Sequence, residues 1–395
     1  MRITAITSLR TSITGILAMV LPGKTFAYES EMDTHWPSCV PALLSNHSKI
    51  SKHLRPLPST GAGARFELGR LMTAERVSGR RAKNAEATMM AARVHGFGGP
   101  EVIRFEQVRR PDPGPGEVLV RVAAAGFNPS DVGFRAGYMR DIVQLDLPFT
   151  LGSEAAGTVV QVGVGVERFA VGDHVIGRLD GGGAAAEYLT ASAGRLVRAP
   201  SRLPLAHAAA IPVAGLTAWQ ALFEHARIEP GTLILVNGAG GGVGMFAVQL
   251  ARHAGAHVIA TAGPRSADRV RGYGAEQIID YTRVSPHQVL DRPVDLVLNL
   301  VPLPPEAAQA LCQTVRPGGS LISITVPVTP PAGTVVTATH FVARNDPGQL
   351  AEIITLIDAG VVRVDVTAAR PLTELPAVHR DAQAGRTYGK TILIP

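Results

Sequence analysis

The residues Leu233-Ile234-Leu235-Val236-Asn237-Gly238-Ala239-Gly240-Gly241-Gly242-Val243-Gly244 decide the fold of this chain. A short apolar strand runs into a glycine-rich turn, and the turn opens a helix with an apolar face at Val243, Ala247, Leu250 and Ala251. Such a turn brings main-chain N–H groups and a helix N-terminus against a pyrophosphate. A plain turn is the alternative on loop chemistry alone. The flanking strand and helix favour a dinucleotide site, and no Gly-Lys-Ser/Thr follows to indicate a kinase-like loop.

Strands and helices alternate on the C-terminal side of this loop. Apolar runs predict strands at Leu233–Val236, His257–Thr261, Gln277–Ile279, Leu296–Leu300 and Ser320–Thr325. Helical patterns separate them near Val243–His253, Ser266–Arg271 and Glu306–Val315. This alternation predicts a doubly wound parallel sheet, the α/β fold of dinucleotide-binding (Rossmann) domains, over residues 214–335.

The flanking segments predict a second, β-rich domain. Residues 89–213 read as short strands broken by Gly/Pro turns such as Pro111-Asp112-Pro113-Gly114-Pro115-Gly116. Residues 336–395 carry a helical pattern at Gln349–Ala359 and strand patterns at Arg363–Val366 and Thr391–Ile394, and we expect them to return to this β-rich domain.

Residues 1–88 stand apart from both domains. They open with two arginines and an apolar run from Ile13 to Leu21, followed by mixed sequence without a clear period. A disordered leader is expected. Whether it is a targeting segment or a start-site artefact stays open, because a second start is visible at Met89-Met90.

Charge and cysteine content exclude several function classes. The formal net charge is +6, but residues 89–395 carry 26 Lys/Arg and 26 Asp/Glu, so this part shows no basic stripe for nucleic acid. Lys390 is the only lysine there, which disfavours lysine-based covalent catalysis. Two cysteines are too few for a disulfide framework. We expect a cytoplasmic protein without nucleic-acid or membrane partners.

The turn after the second strand indicates the cofactor. NAD-binding sites usually carry a carboxylate about 20 residues beyond the glycines, which binds the ribose 2′-OH. No Asp or Glu lies between Glu229 and Asp268 in this chain. The turn instead offers Arg265 and Ser266 to a 2′-phosphate. NADP(H) is therefore favoured over NAD(H), with a solvated surface arginine as the alternative for Arg265.

Further motifs give the chain a family resemblance. It resembles the medium-chain dehydrogenases/reductases and is most similar to their zinc-independent, zeta-crystallin-like quinone oxidoreductases and enoyl reductases. The resemblance covers about residues 90–395 and rests on the following motifs: Ala125-Gly126-Phe127-Asn128-Pro129-Ser130-Asp131, Leu151-Gly152-Ser153-Glu154-Ala155-Ala156-Gly157, Val171-Gly172-Asp173-His174-Val175, Gly215-Leu216-Thr217-Ala218, the glycine loop, and Gly385-Arg386-Thr387-Tyr388-Gly389-Lys390.

The resemblance implies a GroES-like, β-rich catalytic domain beside the Rossmann domain, with a cleft between them. It implies catalytic roles for Asn128, Asp131 and Tyr138. An Asx-Pro turn in which Asn128 and Asp131 cap local backbone is the alternative, as is a structural role for Tyr138. It also implies cofactor-binding residues beside Arg265 and Ser266 of the turn, which are Thr217, Ala239, Gly241, Gly242, Val243, Gly244 and Tyr281.

The resemblance also implies the chemistry. Zinc-dependent alcohol dehydrogenases of this superfamily carry a cysteine where Asn128 stands and a histidine where Ser153 stands, so no metal is expected. Hydride transfer from NADPH to a quinone or an α,β-unsaturated carbonyl is then the expected reaction, and a zinc-type alcohol dehydrogenase is disfavoured because the Lewis acid that would activate an alcohol is missing. An NADPH-binding sensor or RNA-binding protein is the alternative. The resemblance also implies a homodimer.

Overall fold

The computed structural model describes residues 87–140 and 145–395, together with the backbone of three strands near the N-terminus. These are β1 (Ile3–Ile6), β2 (Thr14–Leu21) and β3 (Lys24–Glu31), which form an antiparallel sheet in the order β1-β2-β3. These strands lie within the segment for which a disordered leader is predicted, and whether that segment is a targeting sequence or a start-site artefact stays open. The rest of the predicted leader lies outside the described residues.

The β-rich part begins with a small antiparallel sheet. Strand β4 (Thr88–Val94) lies between β5 (Ile103–Arg109) and β7 (Phe149–Thr150). Exposed and buried residues alternate at the start of β4, as the period of two predicts for a strand with one covered face, whereas Ala91 and Ala92 are both buried.

A larger sheet completes this part. Its described strands are β6 (Glu117–Phe127), β8 (Glu154–Val162), β9 (His174–Arg178), β10 (Tyr188–Ser192), β11 (Val197–Arg198), β18 (Val366–Pro371) and β19 (Lys390–Ile394). Their order is β11-β9-β8-β6-β19-β18, and β10 also pairs with β6. Helices α1 (Pro129–Ala136) and α9 (Leu375–Gln383) belong to the same part. The C-terminal strands therefore return to the first domain, although β18 starts three residues later than the predicted Arg363.

The second domain is built on a parallel sheet. The described strands are β12 (Leu233–Asn237), β13 (His257–Thr261), β14 (Gln277–Ile279), β15 (Val294–Asn299), β16 (Val315–Ser323) and β17 (Thr337–His340). They lie in the order β14-β13-β12-β15-β16-β17, and every neighbouring pair is parallel. This is the strand order of doubly wound dinucleotide-binding sheets. The predicted α/β fold is confirmed.

The helices of this part cover the parallel sheet and join it to the first domain. They are α2 (Leu205–Ala208), α3 (Pro212–Trp219), a π-helix (Gln220–His225), α4 (Gly242–His253), α5 (Ala267–Gly272), α6 (Pro286–Val289), α7 (Pro305–Cys312) and α8 (Pro347–Asp358). One apolar core includes residues of α3, α4, α8 and β12, such as Leu216, Phe246, Ile353 and Ile234. None of the helices in the described ranges is long and apolar enough to cross a membrane.

The predicted domain boundary at residue 335 is too early. Strand β17 pairs with β16 in the parallel sheet, so the return to the first domain comes after His340. The strand residues Thr337-Ala338-Thr339-His340 show little hydrophobic pattern. They form an edge strand in which no side chain is fully buried, and such a strand needs only backbone hydrogen bonds to one neighbour.

Candidate functional site

The glycine loop connects β12 to α4 at the carboxyl edge of the parallel sheet. Helix α4 begins at Gly242, one residue before the prediction, with Gly241 as its N-cap. A Cβ on Gly244 would lie 2.4 Å from the carbonyl oxygen of Ala239, so only glycine allows the helix to start this close to the strand. A Cβ on Gly241 would have its nearest neighbour at 3.6 Å, which leaves space in front of the loop. The open space at Gly241 and the close contact at Gly244 fit a dinucleotide pyrophosphate.

A buried polar network supports this loop from behind. The Asn237 side chain donates to Asn299 Oδ1 (2.9 Å) and accepts from the Thr261 hydroxyl (2.8 Å). Thr261 Oγ1 in turn accepts from the N–H of Gly238 (2.8 Å). The three side chains come from the ends of β15, β12 and β13, so they tie the start of the loop to three strands. Buried and mutually bonded groups of this kind hold a backbone in one conformation.

The turn after β13 brings the predicted specificity residues beside the loop. Ser266 is buried, and a Cβ on Gly240 would lie 2.4 Å from its Oγ. The Arg265 guanidinium lies 5.4 Å from the ring centre of Tyr388, and Arg269 lies at the same distance from that ring. Tyr281 is 59% exposed and lies over Gly263, where a Cβ would be 3.3 Å from its hydroxyl. Two cations and a hydroxyl thus gather where a 2′-phosphate is expected.

The C-terminal motif joins the glycine loop to the β-rich domain. The N–H of Gly389 donates to the carbonyl oxygen of Gly240 (2.9 Å), and Gly389 forms a bridge with Gly241. A Cβ on Gly242 would lie 2.5 Å from the Lys390 side chain. The residue after the bridge, Lys390, therefore runs from the loop into the interior of the first domain.

Lys390 ends in a buried cluster of polar groups. Its ammonium donates to Glu154 Oε1 (2.5 Å), Asn128 Oδ1 (3.0 Å) and the carbonyl oxygen of Phe127 (3.3 Å). The Asn128 amide donates to the same Glu154 oxygen (2.7 Å), and Glu154 Oε2 accepts from the N–H of Val213 (2.7 Å). Since Val213 lies in the first turn of α3, the cluster links β6, β8, β19 and α3. All donors of the ammonium are satisfied, as a buried charge requires.

Asp131 lies beside this cluster on α1. Its Oδ2 accepts from the N–H of Asn128 (2.8 Å), and its Oδ1 accepts from the Ser153 hydroxyl (3.1 Å). Asp131 is 4% exposed, and this burial raises the pKa of its carboxyl to about 7, with a further contribution from the charge of Glu154. Asp131 thus caps the first turn of α1, whereas the Asn128 side chain contacts Glu154 and Lys390, and the catalytic roles of both residues stay predictions.

Two predicted residues lie apart from the cluster. Tyr138 follows α1 with a side chain that is 76% exposed, and the segment from 141 to 144 beyond it is outside the described residues. Its catalytic role stays a prediction. Thr217 is buried in α3, where its hydroxyl donates to the carbonyl oxygen of Val213 (2.7 Å). Its contact with a nicotinamide also stays a prediction.

Sequence reasoning assigned no role to Glu154, Lys390 or the network of Asn237, Thr261 and Asn299. Two signals could have identified the first pair. Lys390 is the only lysine after residue 88, and Glu154 is the one charge in the apolar stretch Leu151 to Val160. A lone charge in such a stretch needs a partner of opposite sign when it is buried. In the described residues, no group of three or more His, Cys, Asp or Glu is arranged to hold a metal ion.

Two protein-family models match this chain. The alcohol dehydrogenase GroES-like domain matches residues 114–201, and the zinc-binding dehydrogenase model matches residues 273–393. The first match confirms the predicted GroES-like domain, and it contains Asn128, Asp131, Ser153 and Glu154. The second contains β17 and the C-terminal strands.

Known relatives cover most of the chain. A quinone oxidoreductase of Pseudomonas aeruginosa is 32% identical over 330 residues, 78% of this chain and 100% of that protein. A 2-haloacrylate reductase of Burkholderia sp is 30% identical over 332 residues, 78% of this chain and 99% of that protein. Plant chloroplast quinone oxidoreductase homologues match over 58–62% of their own length.

A solved structure agrees with this assignment. The crystal structure of Escherichia coli quinone oxidoreductase complexed with NADPH superposes with a TM-score of 0.71 and 28% identity, over 78% of this chain and 100% of that chain. The predicted resemblance is confirmed by these matches. The chain belongs to the quinone oxidoreductase family of the medium-chain dehydrogenases/reductases.

Proposed function

We propose that this protein is an NADPH-dependent reductase that transfers hydride to a quinone or to an α,β-unsaturated carbonyl compound. The observation that carries the proposal is the contact of Gly389 with Gly240, which joins the glycine loop to the buried cluster around Asn128. Two consecutive residues link the glycine loop to the polar cluster: Gly389 contacts the loop, and Lys390 contacts the cluster. Relatives named as a quinone oxidoreductase and a 2-haloacrylate reductase support both acceptor classes.

The residues that would hold the cofactor fit NADPH. The pyrophosphate would lie at Gly241, Gly242 and Val243 at the N-terminus of α4, where N–H groups and the helix dipole favour negative charge. Arg265 and Ser266 would bind the 2′-phosphate, since position 262 is a buried alanine rather than an acid. When bound, NADPH supplies a hydride at its nicotinamide ring.

The chain's own groups then orient the acceptor and stabilise charge. Asn128 is held from two sides, because its amide donates to Glu154 and its oxygen accepts from Lys390. Hydride addition places negative charge on the acceptor's carbonyl oxygen, and a fixed polar surrounding stabilises that charge without reorganising. Asn128 and Ser153 occupy the positions of zinc ligands in related dehydrogenases, so an acceptor that is already electron-poor suits this site best.

The test measures cofactor oxidation by the full chain. NADPH and NADH are compared with a 1,4-naphthoquinone and with a 2-alkenal, following the loss of nicotinamide absorbance. We expect NADPH-dependent turnover with at least one acceptor. Binding of NADPH without turnover of either would favour a sensor instead. Equal rates with NADH would contradict the assignment of Arg265 and Ser266.

A further inference from the structure

We infer that Ser153 delivers the proton that completes the reduction and that Asp131 supplies it, so that the two side chains form a proton relay. The inference rests on the proposed reductase activity. It adds a residue to which sequence analysis gave no catalytic role. Its basis is the contact between the Ser153 hydroxyl and Asp131 Oδ1, at 3.1 Å.

The reaction needs such a donor. Hydride addition to the acceptor forms a C–H or O–H bond and leaves an electron pair on the acceptor's carbonyl oxygen. That oxygen takes the hydroxyl proton of Ser153 while Ser153 Oγ takes the carboxyl proton of Asp131. Asp131 is left as a carboxylate and regains a proton from water after product leaves. Hydride, proton and electron pair balance, with NADPH as the reductant.

Asp131 is suited to store the proton but not to deliver it. At 4% exposure its carboxyl has no direct path to a substrate. One oxygen accepts from the N–H of Asn128, and the other meets Ser153. Ser153 is half-buried and directly precedes β8, so it is more accessible to a ligand than the buried Asp131. Of the two groups bonded to this carboxyl in the described residues, the Ser153 hydroxyl is the one that can exchange a proton with it.

The charges around Asp131 support a protonated state near neutral pH. Burial and, to a smaller degree, the charge of Glu154 raise the pKa of this carboxyl, the two hydrogen bonds and Lys390 lower it, and the net pKa is about 7. The Lys390 ammonium forms its hydrogen bonds with Glu154, Asn128 and the carbonyl oxygen of Phe127, and Asp131 is not among its hydrogen-bond partners. A pKa near the working pH is the value at which a general acid is most effective.

Protonation also sets the direction of the hydrogen bond. When Asp131 is ionised, the Ser153 hydroxyl donates to it and has no proton for a substrate. When Asp131 is protonated, its O–H donates to Ser153 Oγ, and the serine hydroxyl is free to donate outward. The relay is therefore active only in the protonated form.

The test compares Ser153→Ala, Ser153→Thr and Asp131→Asn with the unchanged chain. Steady-state rates are measured from pH 5 to 9 with a 2-alkenal and a naphthoquinone, using NADPH and NADPH deuterated at the transferred position. We expect kcat of the unchanged chain to fall as the pH rises through about 7. Ser153→Ala should lower kcat by about 100-fold with little change in the KM of NADPH.

Two readouts separate a relay from a structural role. In Ser153→Ala, proton transfer becomes the slow step, so the isotope effect of deuterated NADPH should shrink while that of heavy water grows. Ser153→Thr keeps a hydroxyl and should recover most of the rate. Asp131→Asn should lose the fall of kcat near pH 7. Circular dichroism checks that each variant is folded.

The outcomes distinguish the two proposals. If Ser153→Ala turns over at the rate of the unchanged chain with the same pH profile, the relay is overturned and the reductase activity stands. If the unchanged chain reduces neither acceptor, the proposed function fails and the relay fails with it. A uniform loss in Ser153→Ala and Ser153→Thr with unaltered isotope effects would also overturn the relay.

Discussion

The ammonium of Lys390 lies 2.5 Å from Glu154 Oε1, and both side chains are almost fully buried, with 3% and 0% of their side-chain surface exposed. Lys390 follows the residue that bridges the glycine loop, and Glu154 accepts from the first turn of α3. One ion pair therefore connects the cofactor loop, the β-rich sheet and a helix of the second domain. Breaking it should affect stability and activity together.

Replacing one member of this pair should be costly. We expect Lys390→Met to lower the free energy of unfolding by about 3–5 kcal/mol, because it leaves the buried Glu154 carboxylate without its cation. The double variant Lys390→Met/Glu154→Leu removes both charges and should recover part of the loss. Urea unfolding followed by circular dichroism measures each step. Arg271→Met, which breaks an exposed pair with Asp268, is the control and should change stability by less than about 1 kcal/mol. A Lys390→Met chain as stable as the control would contradict the buried pair.

Two glycines of the loop should behave differently when changed to alanine. In Gly244→Ala the new Cβ would lie 2.4 Å from backbone of Ala239, so helix α4 must shift and the melting temperature should fall. In Gly241→Ala the nearest atom is 3.6 Å away, so the fold should be kept. The methyl group would instead fill the space in front of the loop and lower NADPH affinity by at least about tenfold. Thermal melting and NADPH fluorescence titration separate the two effects, and equal melting temperatures for both variants would refute the difference.

Arg265 should decide the preference between cofactors. We expect Arg265→Gln to lower kcat/KM for NADPH by about 10- to 100-fold, because a charge-assisted contact to the 2′-phosphate contributes about 1.5–3 kcal/mol. The kcat/KM for NADH should stay nearly unchanged, because NADH lacks the 2′-phosphate. Arg283→Gln, on an exposed turn after β14, is the matched control. Equal losses with both cofactors would show that Arg265 acts on the fold instead.

His379 should make the β-rich domain sensitive to acid. It is fully buried in α9 against Phe127 (5.2 Å between ring centres), and in the described residues neither ring nitrogen has a hydrogen-bond partner. Burial, and then the nearby charge of Arg135, lower the pKa of its imidazole from 6.5 to about 4. Between pH 6.5 and 4, His379 is therefore protonated in the unfolded chain but neutral in the folded chain. The free energy of unfolding consequently decreases as the pH falls from about 6.5 toward 4.

The change of His379 to Phe should remove this dependence. We expect the unfolding free energy of the unchanged chain to drop by up to about 3 kcal/mol more than that of His379→Phe over this range. Urea unfolding at pH 7, 5.5 and 4.5 checks it. His257→Phe, with an exposed imidazole beside Glu276, is the control. Parallel curves for the unchanged chain and His379→Phe would refute the assignment.

The sequence by itself determined the parallel sheet and its loop. Strand Leu233–Asn237, the glycines and helix Gly242–His253 follow from local signals, because glycine conformation and apolar periodicity are properties of neighbouring residues. Strand β13 and strand β14 lie at the predicted residues for the same reason. The family motifs correctly indicated the GroES-like domain around Asn128.

Only the tertiary structure decided how the site is assembled. Glu154 and Lys390 are 236 positions apart in the chain, and their ion pair depends on β8, β6 and β19 lying side by side. Strand β17 was missed, since an exposed edge strand carries little apolar signal. The raised pKa of Asp131 likewise comes from burial by several elements. Burial and long-range contacts depend on residues that are far apart in the sequence, so local sequence patterns cannot predict them.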